Sequence, residues 1–272
     1  LKLSNRKKIK ITDIHFGGGT PSVIPMDLFE SIMNIFKKYV DNNSLNEVAI
    51  EVDPRNGMTE KQLLEYHSLG VKRISLGIQD FDQNVQKAVN RVNTYEMIDN
   101  LLTKKVRDVF SSINFDYIYG LPKQTINSVK ETRKKIVDLN PDRIHFLSME
   151  HRPDVYKHQK AYNEKDLPSM MDKVKMYDES AKFFENSGYT RIGLHKFAKK
   201  GDVLTKYKKE EKLYRNPNGY SPGWSYNMLA VGPSATGKLG NYYFQNLYSL
   251  ENYEKAVRSN QIPIIREKNM DK

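Results

Sequence analysis

Five short runs rich in β-branched and aromatic residues, Lys10 to His15, Glu47 to Val52, Lys72 to Ile78, Ser112 to Ile118 and Arg143 to Ser148, alternate with segments of helical periodicity. That alternation restricts the fold more than any other feature of the chain. Leu28, Phe29, Ile32, Phe36 and Tyr39 make one apolar stripe, Met97, Ile98, Leu101 and Leu102 a second, and Val129, Thr132, Ile136 and Val137 a third. Spacings of three and four residues place each stripe on one side of a helix, where it can cover a sheet. Repeated strand, helix, strand order with right-handed crossovers predicts a parallel α/β sheet, flat or curled into a barrel.

Polar and glycine-rich residues gather just after these strands: His15-Phe-Gly-Gly-Gly-Thr-Pro21, Asp53-Pro54-Arg55, Gln79-Asp80 and Tyr119-Gly120-Leu121-Pro122. In parallel architectures that edge of the sheet is where ligands bind. Three glycines at a strand end let the backbone take positive φ and approach a small molecule closely, and Thr20 adds a hydroxyl. After Pro153 the alternation fades. A helical pattern (Met170, Val174, Tyr177, Ala181, Phe184) is followed by Tyr189 to Ala198, a lysine-rich loop, and a glycine-punctuated β-like segment from Met228 to Phe244. The expected division is a strand-helix core over 1–153 and a closing helix with an α+β region over 154–272.

The 272 residues contain no cysteine, which excludes disulfides, thiolate metal sites and cysteine nucleophiles within them. No apolar stretch reaches the 18 or so residues of a membrane span, and the basic N-terminus is not followed by an apolar signal region, so a cytoplasmic protein without a membrane partner is expected. The net charge of +11 raises the question of nucleic acid. Its excess lies in scattered groups such as Arg6-Lys7-Lys8, Lys104-Lys105, Arg133-Lys134-Lys135 and Lys206 to Lys212, a pattern expected of solvated helix faces. No nucleic-acid partner is expected.

Gly232-Pro-Ser-Ala-Thr-Gly237-Lys238 matches the opening of a phosphate-binding loop, but Leu239 replaces the metal-binding hydroxyl and a β-like run stands where a helix should begin. It reads as a turn between strands. His15, His145, His151 and His195 lack the spacing of a helical metal site, and no metal ligands are assigned. Trp224, Tyr214, Tyr220 and Tyr226 could stack on a flat ligand or pack in a loop.

Taken in order, HFGGGTP (15–21), EVDPR (51–55), RISLGIQDF (73–81), VNR (89–91), FDYIYGLPKQT (115–125), LNPDRI (139–144) and LYRNPNGY (213–220) resemble one family, the radical S-adenosylmethionine enzymes known as oxygen-independent coproporphyrinogen III dehydrogenases or oxidases. EVDPR, GIQDF and the lack of an HNxxYW segment set the chain apart from the sister heme chaperones. The resemblance implies a partial (β/α)6 barrel, with its first strand missing here, that holds S-adenosylmethionine against a [4Fe-4S] cluster. It also implies a porphyrinogen substrate, a radical oxidation of two propionates to vinyls in heme biosynthesis, and a monomer.

By the same resemblance, Gly17, Gly18, Gly19 and Thr20 meet the methionine end of the cofactor. Glu51 is a ligand-contacting carboxylate, Gln79 and Asp116 suit ribose hydroxyls, and Arg91 suits the methionine carboxylate. Glu150 stands where the family has a small residue near the adenosyl group, and Thr236 where it has an apolar contact. LHKFA (194–198) replaces a DHFA-like run, which changes His195 and Lys196. The family's CxxxCxxC segment, which would precede HFGGGTP, and its C-terminal helical domain are not found. The chain is therefore expected to be a fragment, inactive alone, with an unpaired edge at Lys10 to His15 prone to aggregation. A non-catalytic protein that binds S-adenosylmethionine or porphyrin, or a decayed remnant, is the alternative.

Overall fold

The structure, a computed structural model, describes residues 9–217, 219–222 and 227–270. Arg6-Lys7-Lys8, Trp224 and Tyr226 lie outside the described residues. Two compact units divide the chain between Asp202 and Val203. The expected division at 153 falls inside the first of them.

The first unit runs β1 (Asp13–Phe16), α1 (Met26–Tyr39), β2 (Glu47–Val52), α2 (Glu60–Ser68), β3 (Arg73–Gln79), α3 (Gln83–Ala88), α4 (Tyr95–Leu101), α5 (Lys104–Val109), β4 (Ser112–Tyr119), α6 (Ile126–Asp138), β5 (Arg143–Ser148), α7 (Met170–Asn186), β6 (Tyr189–Arg191) and β7 (Lys196–Lys199). The sheet order is β1-β2-β3-β4-β5-β7-β6, with β1 to β5 parallel and β7 and β6 added antiparallel. This is the expected partial α/β barrel.

Helix starts are written in the sequence. Thr59 with Gln62 and Thr125 with Ser128 form reciprocal caps at α2 and α6, and Thr94 and Thr103 each accept a backbone N–H at α4 and α5. Thr103 caps a further short helix just after the Met97 to Leu102 stripe. Strand alternation then sorts the side chains. Ile74, Leu76, Ile78, Ile113, Phe115, Tyr117, Ile144 and Phe146 join one apolar core with Phe29, Met33, Leu63, Val129, Ile136 and Phe184 from the helices. The residues between them, Arg73, Ser75, Gly77, Asn114, Asp116, Arg143 and His145, lie on the opposite, concave face.

Some expected stripe positions are corrected. Leu28, Tyr39, Met97, Met170 and Val174 are exposed, while Met33 and Met176 carry the inward positions. Arg133, expected on a solvated face, is buried, with its guanidinium 5.0 Å from the Phe183 ring centre and donating to Ser180.

The second unit contains α8 (Val203–Lys209), a hairpin of β8 (Leu213–Asn216) and β9 (Gly219–Pro222), and an antiparallel sheet of β10 (Thr236–Leu239), β11 (Tyr242–Asn246) and β12 (Ile264–Asn269), with α9 (Leu250–Arg258) between the last two. The loop-like Gly232 to Lys238 segment turns through Gly232 and Ser234, both at positive φ, into β10, where Lys238 is a buried strand residue. No helix follows it, so the phosphate-loop reading is excluded on geometry.

Candidate cofactor site

The edge beyond β1 to β4 collects most of the residues singled out in the sequence. Glu51, on the concave face at the end of β2, reaches β1. Its Oε1 lies 3.1 Å from His15 Nε2, and its Oε2 accepts the Gly18 N–H at 3.3 Å. A Cβ at Gly17 would stand 2.7 Å from both Glu51 Oε1 and His15 Nε2, so glycine is what allows the pair to form. At Gly18 and Gly19 a Cβ would meet nothing within 4 Å, and Gly18 has φ +114°. Gly18 and Gly19 thus border open space beside a carboxylate. Thr20 precedes a short helical turn at Pro21–Val23 without capping it.

A second group converges over Gly77. A bulge after Gly77 and a left-handed Gln79, φ 64°, end β3 and turn the glutamine back, so that a Cβ on Gly77 would stand 3.0 Å from Gln79 Nε2 and 4.0 Å from Arg91 Nη1. Arg91 is held from the other side by Asp53, its Nη2 donating to Oδ2 at 3.3 Å. Asp53 also takes the Arg55 N–H at 3.0 Å, Nε at 2.9 Å and Nη2 at 2.6 Å. These bonds, the Arg55 side chain first among them, hold the Asp53 carboxyl down at about 2. Asn93 donates to the Gly77 carbonyl at 2.9 Å, and its own Oδ1 is buried with no hydrogen-bond partner.

Asp116 sits on the concave face of β4 inside a polar cluster. Its carboxylate accepts Ser75 Oγ at 3.0 Å and Asn114 Nδ2 at 2.9 Å, and lies 3.4 Å from His145 Nδ1. Burial works against its charge, but the imidazole and these donors outweigh it and leave its pKa below the usual carboxylate value. Deeper in the concave face, Arg73 donates to Glu47 at 2.8 Å and Arg143 to Asp202 at 2.7 Å, with Arg143 3.9 Å from Glu47. Burial opposes the Glu47 charge too, and the two guanidinium groups overcome it.

Behind the site, fully buried Asp80 accepts Thr132 Oγ1 at 2.7 Å, Gln124 Nε2 at 2.5 Å and the Asp82 N–H at 2.7 Å. It fixes the end of β3 to α6 and to the loop after β4. Desolvation raises its pKa.

The structure therefore brings Gly17, Gly18, Gly19, Thr20, Glu51, Gln79, Arg91 and Asp116 to one edge and face of one sheet. It does not gather Glu150 there. Glu150 follows β5 with a side chain 72% exposed and paired with Arg152 at 3.6 Å. Thr236 is an exposed residue of the second unit, paired in the ladder with Gln245. The histidines do not assemble: His15 serves Glu51, His145 serves Asp116 and His151 lies 5.4 Å from the Tyr162 ring. Asp53, Ser75, Asn114, Asn93 and His145 were not singled out as site residues, although polar residues at every second strand position are a readable sign of a functional concave face.

S-Adenosylmethionine fits these residues: a glycine-bordered space, a carboxylate, a guanidinium fixed on one side and an unpartnered buried amide oxygen converge at the same edge. A [4Fe-4S] cluster does not fit. There is no thiolate in the 272 residues, and no group of three or more metal-ligating side chains occurs among the described residues. No helix among the described residues is long and apolar enough to cross a membrane.

Comparison with known proteins agrees with this architecture. Residues 2–136 match the family model described as the radical SAM superfamily. The oxygen-independent coproporphyrinogen III oxidase of Escherichia coli K12 is 36% identical over 248 residues, covering 91% of this chain and 54% of that protein. That of Helicobacter pylori 26695 is 34% identical over 259 residues, covering 94% and 56%. The solved coproporphyrinogen III oxidase of E. coli, described as a radical SAM enzyme, superimposes with a TM-score of 0.90 at 34% identity over 96% of this chain and 60% of its own. An archaeal Elp3 from Methanocaldococcus infernus shares the fold at a TM-score of 0.50 and 16% identity, covering 62% of this chain and 44% of its own. The chain spans little more than half the length of the curated relatives it matches. It belongs to the radical SAM superfamily, and its curated relatives include oxygen-independent coproporphyrinogen III oxidases.

Proposed function

We propose that this chain is the cofactor-holding part of an oxygen-independent coproporphyrinogen III dehydrogenase. In that reaction each of two propionates loses a hydrogen atom from its β-carbon, one electron and carbon dioxide, and a vinyl group remains. The observation that carries the reading is the convergence of the glycine edge, Glu51, and Gln79 with Arg91 over Gly77, in a body so close to the E. coli oxidase.

In this reading Gly17, Gly18, Gly19 and Thr20 line the methionine end of S-adenosylmethionine. Glu51 accepts from its ammonium, and Arg91, oriented by Asp53, donates to its carboxylate. Gln79 and Asp116 face the ribose hydroxyls. Glu150 and Thr236 enter only as positions matched to ligand contacts of the family. When bound, S-adenosylmethionine would supply the hydrogen-abstracting chemistry that the reaction needs. The residues of this chain bind and orient it, and without thiolates they do not supply the cluster that the superfamily uses. Alone, the chain is expected to bind the cofactor and form no vinyl product. The relatives named above are oxidases, which favours this reading over a non-catalytic binder.

Calorimetry of the folded chain with S-adenosylmethionine tests it. One saturable site, weakened roughly tenfold or more by Arg91→Met, is expected from the loss of a charge-assisted contact. No heat from a protein shown by circular dichroism to be folded contradicts it.

A further inference from the structure

Among the described residues of the concave face, Lys196 is a basic side chain that neither the proposed cofactor site nor the ion pairs beside it use. Lys196 lies on β7, opposite His145 in the antiparallel ladder, and His145 in turn stands beside Asp116 and Gly77 in the parallel one. Its neighbour Phe197 packs on the helix side, 5.2 Å from the Phe184 ring, so alternation turns Lys196 to the concave face. There its charge is felt by Arg73, Arg143, Asp116 and Glu47. Each of those four is already engaged: Arg73 with Glu47, Arg143 with Asp202, and Asp116 with Ser75, Asn114 and His145. Among the described residues the Lys196 amine makes no hydrogen bond and no ion pair within 4.0 Å.

A half-buried ammonium beside two guanidinium groups, with every nearby carboxylate already satisfied, is costly unless something negative is brought to it. Burial and the two arginines pull the Lys196 amine down to about 8, which still leaves it mainly protonated at neutral pH. The group is therefore a cation with unused donors at the level of Gly77 and Asp116. In the sheet order β4 and β5 separate it from Gly77 on β3, over which Arg91 is proposed to take the cofactor's own carboxylate.

We propose that Lys196 binds a carboxylate of the substrate, a propionate side chain of the porphyrinogen, and so helps to select an acidic tetrapyrrole. The inference rests on the function proposed above. His145 stands beside it in the ladder, its Nδ1 3.4 Å from Asp116.

The test uses the 272-residue chain and coproporphyrin III, a stable four-propionate chromophore whose binding is followed by absorbance, with its tetramethyl ester as the uncharged probe. Lys196→Met is expected to weaken coproporphyrin III roughly tenfold or more, as loss of a charge-assisted hydrogen bond does. It should leave ester binding unchanged, and Lys196→Arg should restore most of the loss. S-Adenosylhomocysteine affinity should move less than twofold, which also shows that the variant is folded. Unchanged coproporphyrin III affinity in Lys196→Met overturns the inference, as does an equal loss for acid and ester. A selective loss of S-adenosylhomocysteine overturns it by assigning the lysine to the cofactor's carboxylate. If the unaltered chain binds S-adenosylhomocysteine but no porphyrin, the substrate reading itself fails and this inference falls with it.

Discussion

Gly17 is the position where fold and binding separate most clearly. A methyl group there would stand 2.7 Å from Glu51 Oε1 and from His15 Nε2, and 3.0 Å from His15 Cδ2. These are partly exposed side-chain ends, 28% for His15 and 37% for Glu51, so they can move aside without disturbing the core. The cost to the fold is the loss of the His15–Glu51 contact and of the Gly18 N–H bond to Glu51. Two half-exposed interactions of this kind are together worth about 1 kcal/mol. In a unit of this size that is roughly 2–4 °C in melting temperature.

Binding should suffer far more. Glu51 is displaced from the glycine edge and the space beside it is narrowed, so losing one charge-assisted bond of about 1.5–3 kcal/mol weakens S-adenosylmethionine roughly tenfold to a hundredfold. Thermal melts and calorimetry on Gly17→Ala measure the two effects. Gly19→Ala is the stability control: its Cβ meets nothing within 4 Å and its backbone is not left-handed, so its melting temperature should not change. Gly17→Ala binding S-adenosylmethionine like the unaltered chain would refute the reasoning, and so would a variant that fails to fold.

Three other outcomes follow from the geometry. The Asp53 carboxyl is held at about 2 against an ordinary 3.8, so the stability it contributes is present above about pH 4 and is lost as pH falls toward 2. Asp53→Asn should flatten that acid limb in melts run from pH 5 to pH 2 and should free Arg91; an unchanged limb contradicts the assignment. Gln124→Ala removes donors to buried Asp80 and to the Ile118 carbonyl and an acceptor for the Leu121 N–H, and should cost about 2–3 kcal/mol in urea unfolding. In the second unit, a Cβ at Gly237 would stand 2.1 Å from the Phe244 ring, so Gly237→Ala should cost about 1–3 kcal/mol by overpacking, with recovery on adding Phe244→Leu.

The strand runs and the residues at their ends were readable because buried parallel strands demand apolar residues on the helix side, while glycine and acid at strand ends mark a ligand edge. Helix faces were read less well. Leu28 and Met170 fit the stripe but are exposed, because α1 and α7 pack on a curved sheet through Phe29, Met33, Met176 and Phe184. The short β6 and β7 could not be placed, since nothing local tells a three-residue strand which partner it will join. Nor could Asp53, whose role depends on Arg91 arriving from a turn 38 residues away. The concave polar face was written as every second residue of β3, β4 and β5, a period that becomes meaningful once the strands are set side by side.

Hydrogen exchange followed by mass spectrometry, with and without S-adenosylmethionine, tests the central claim most directly. The expected result is slower exchange on ligand addition in three stretches, residues 15–20, 51–55 and 77–93, with 203–272 little changed. Slowing confined to 203–272, or none anywhere at saturating ligand, would contradict the placement of the cofactor at the glycine edge of the barrel.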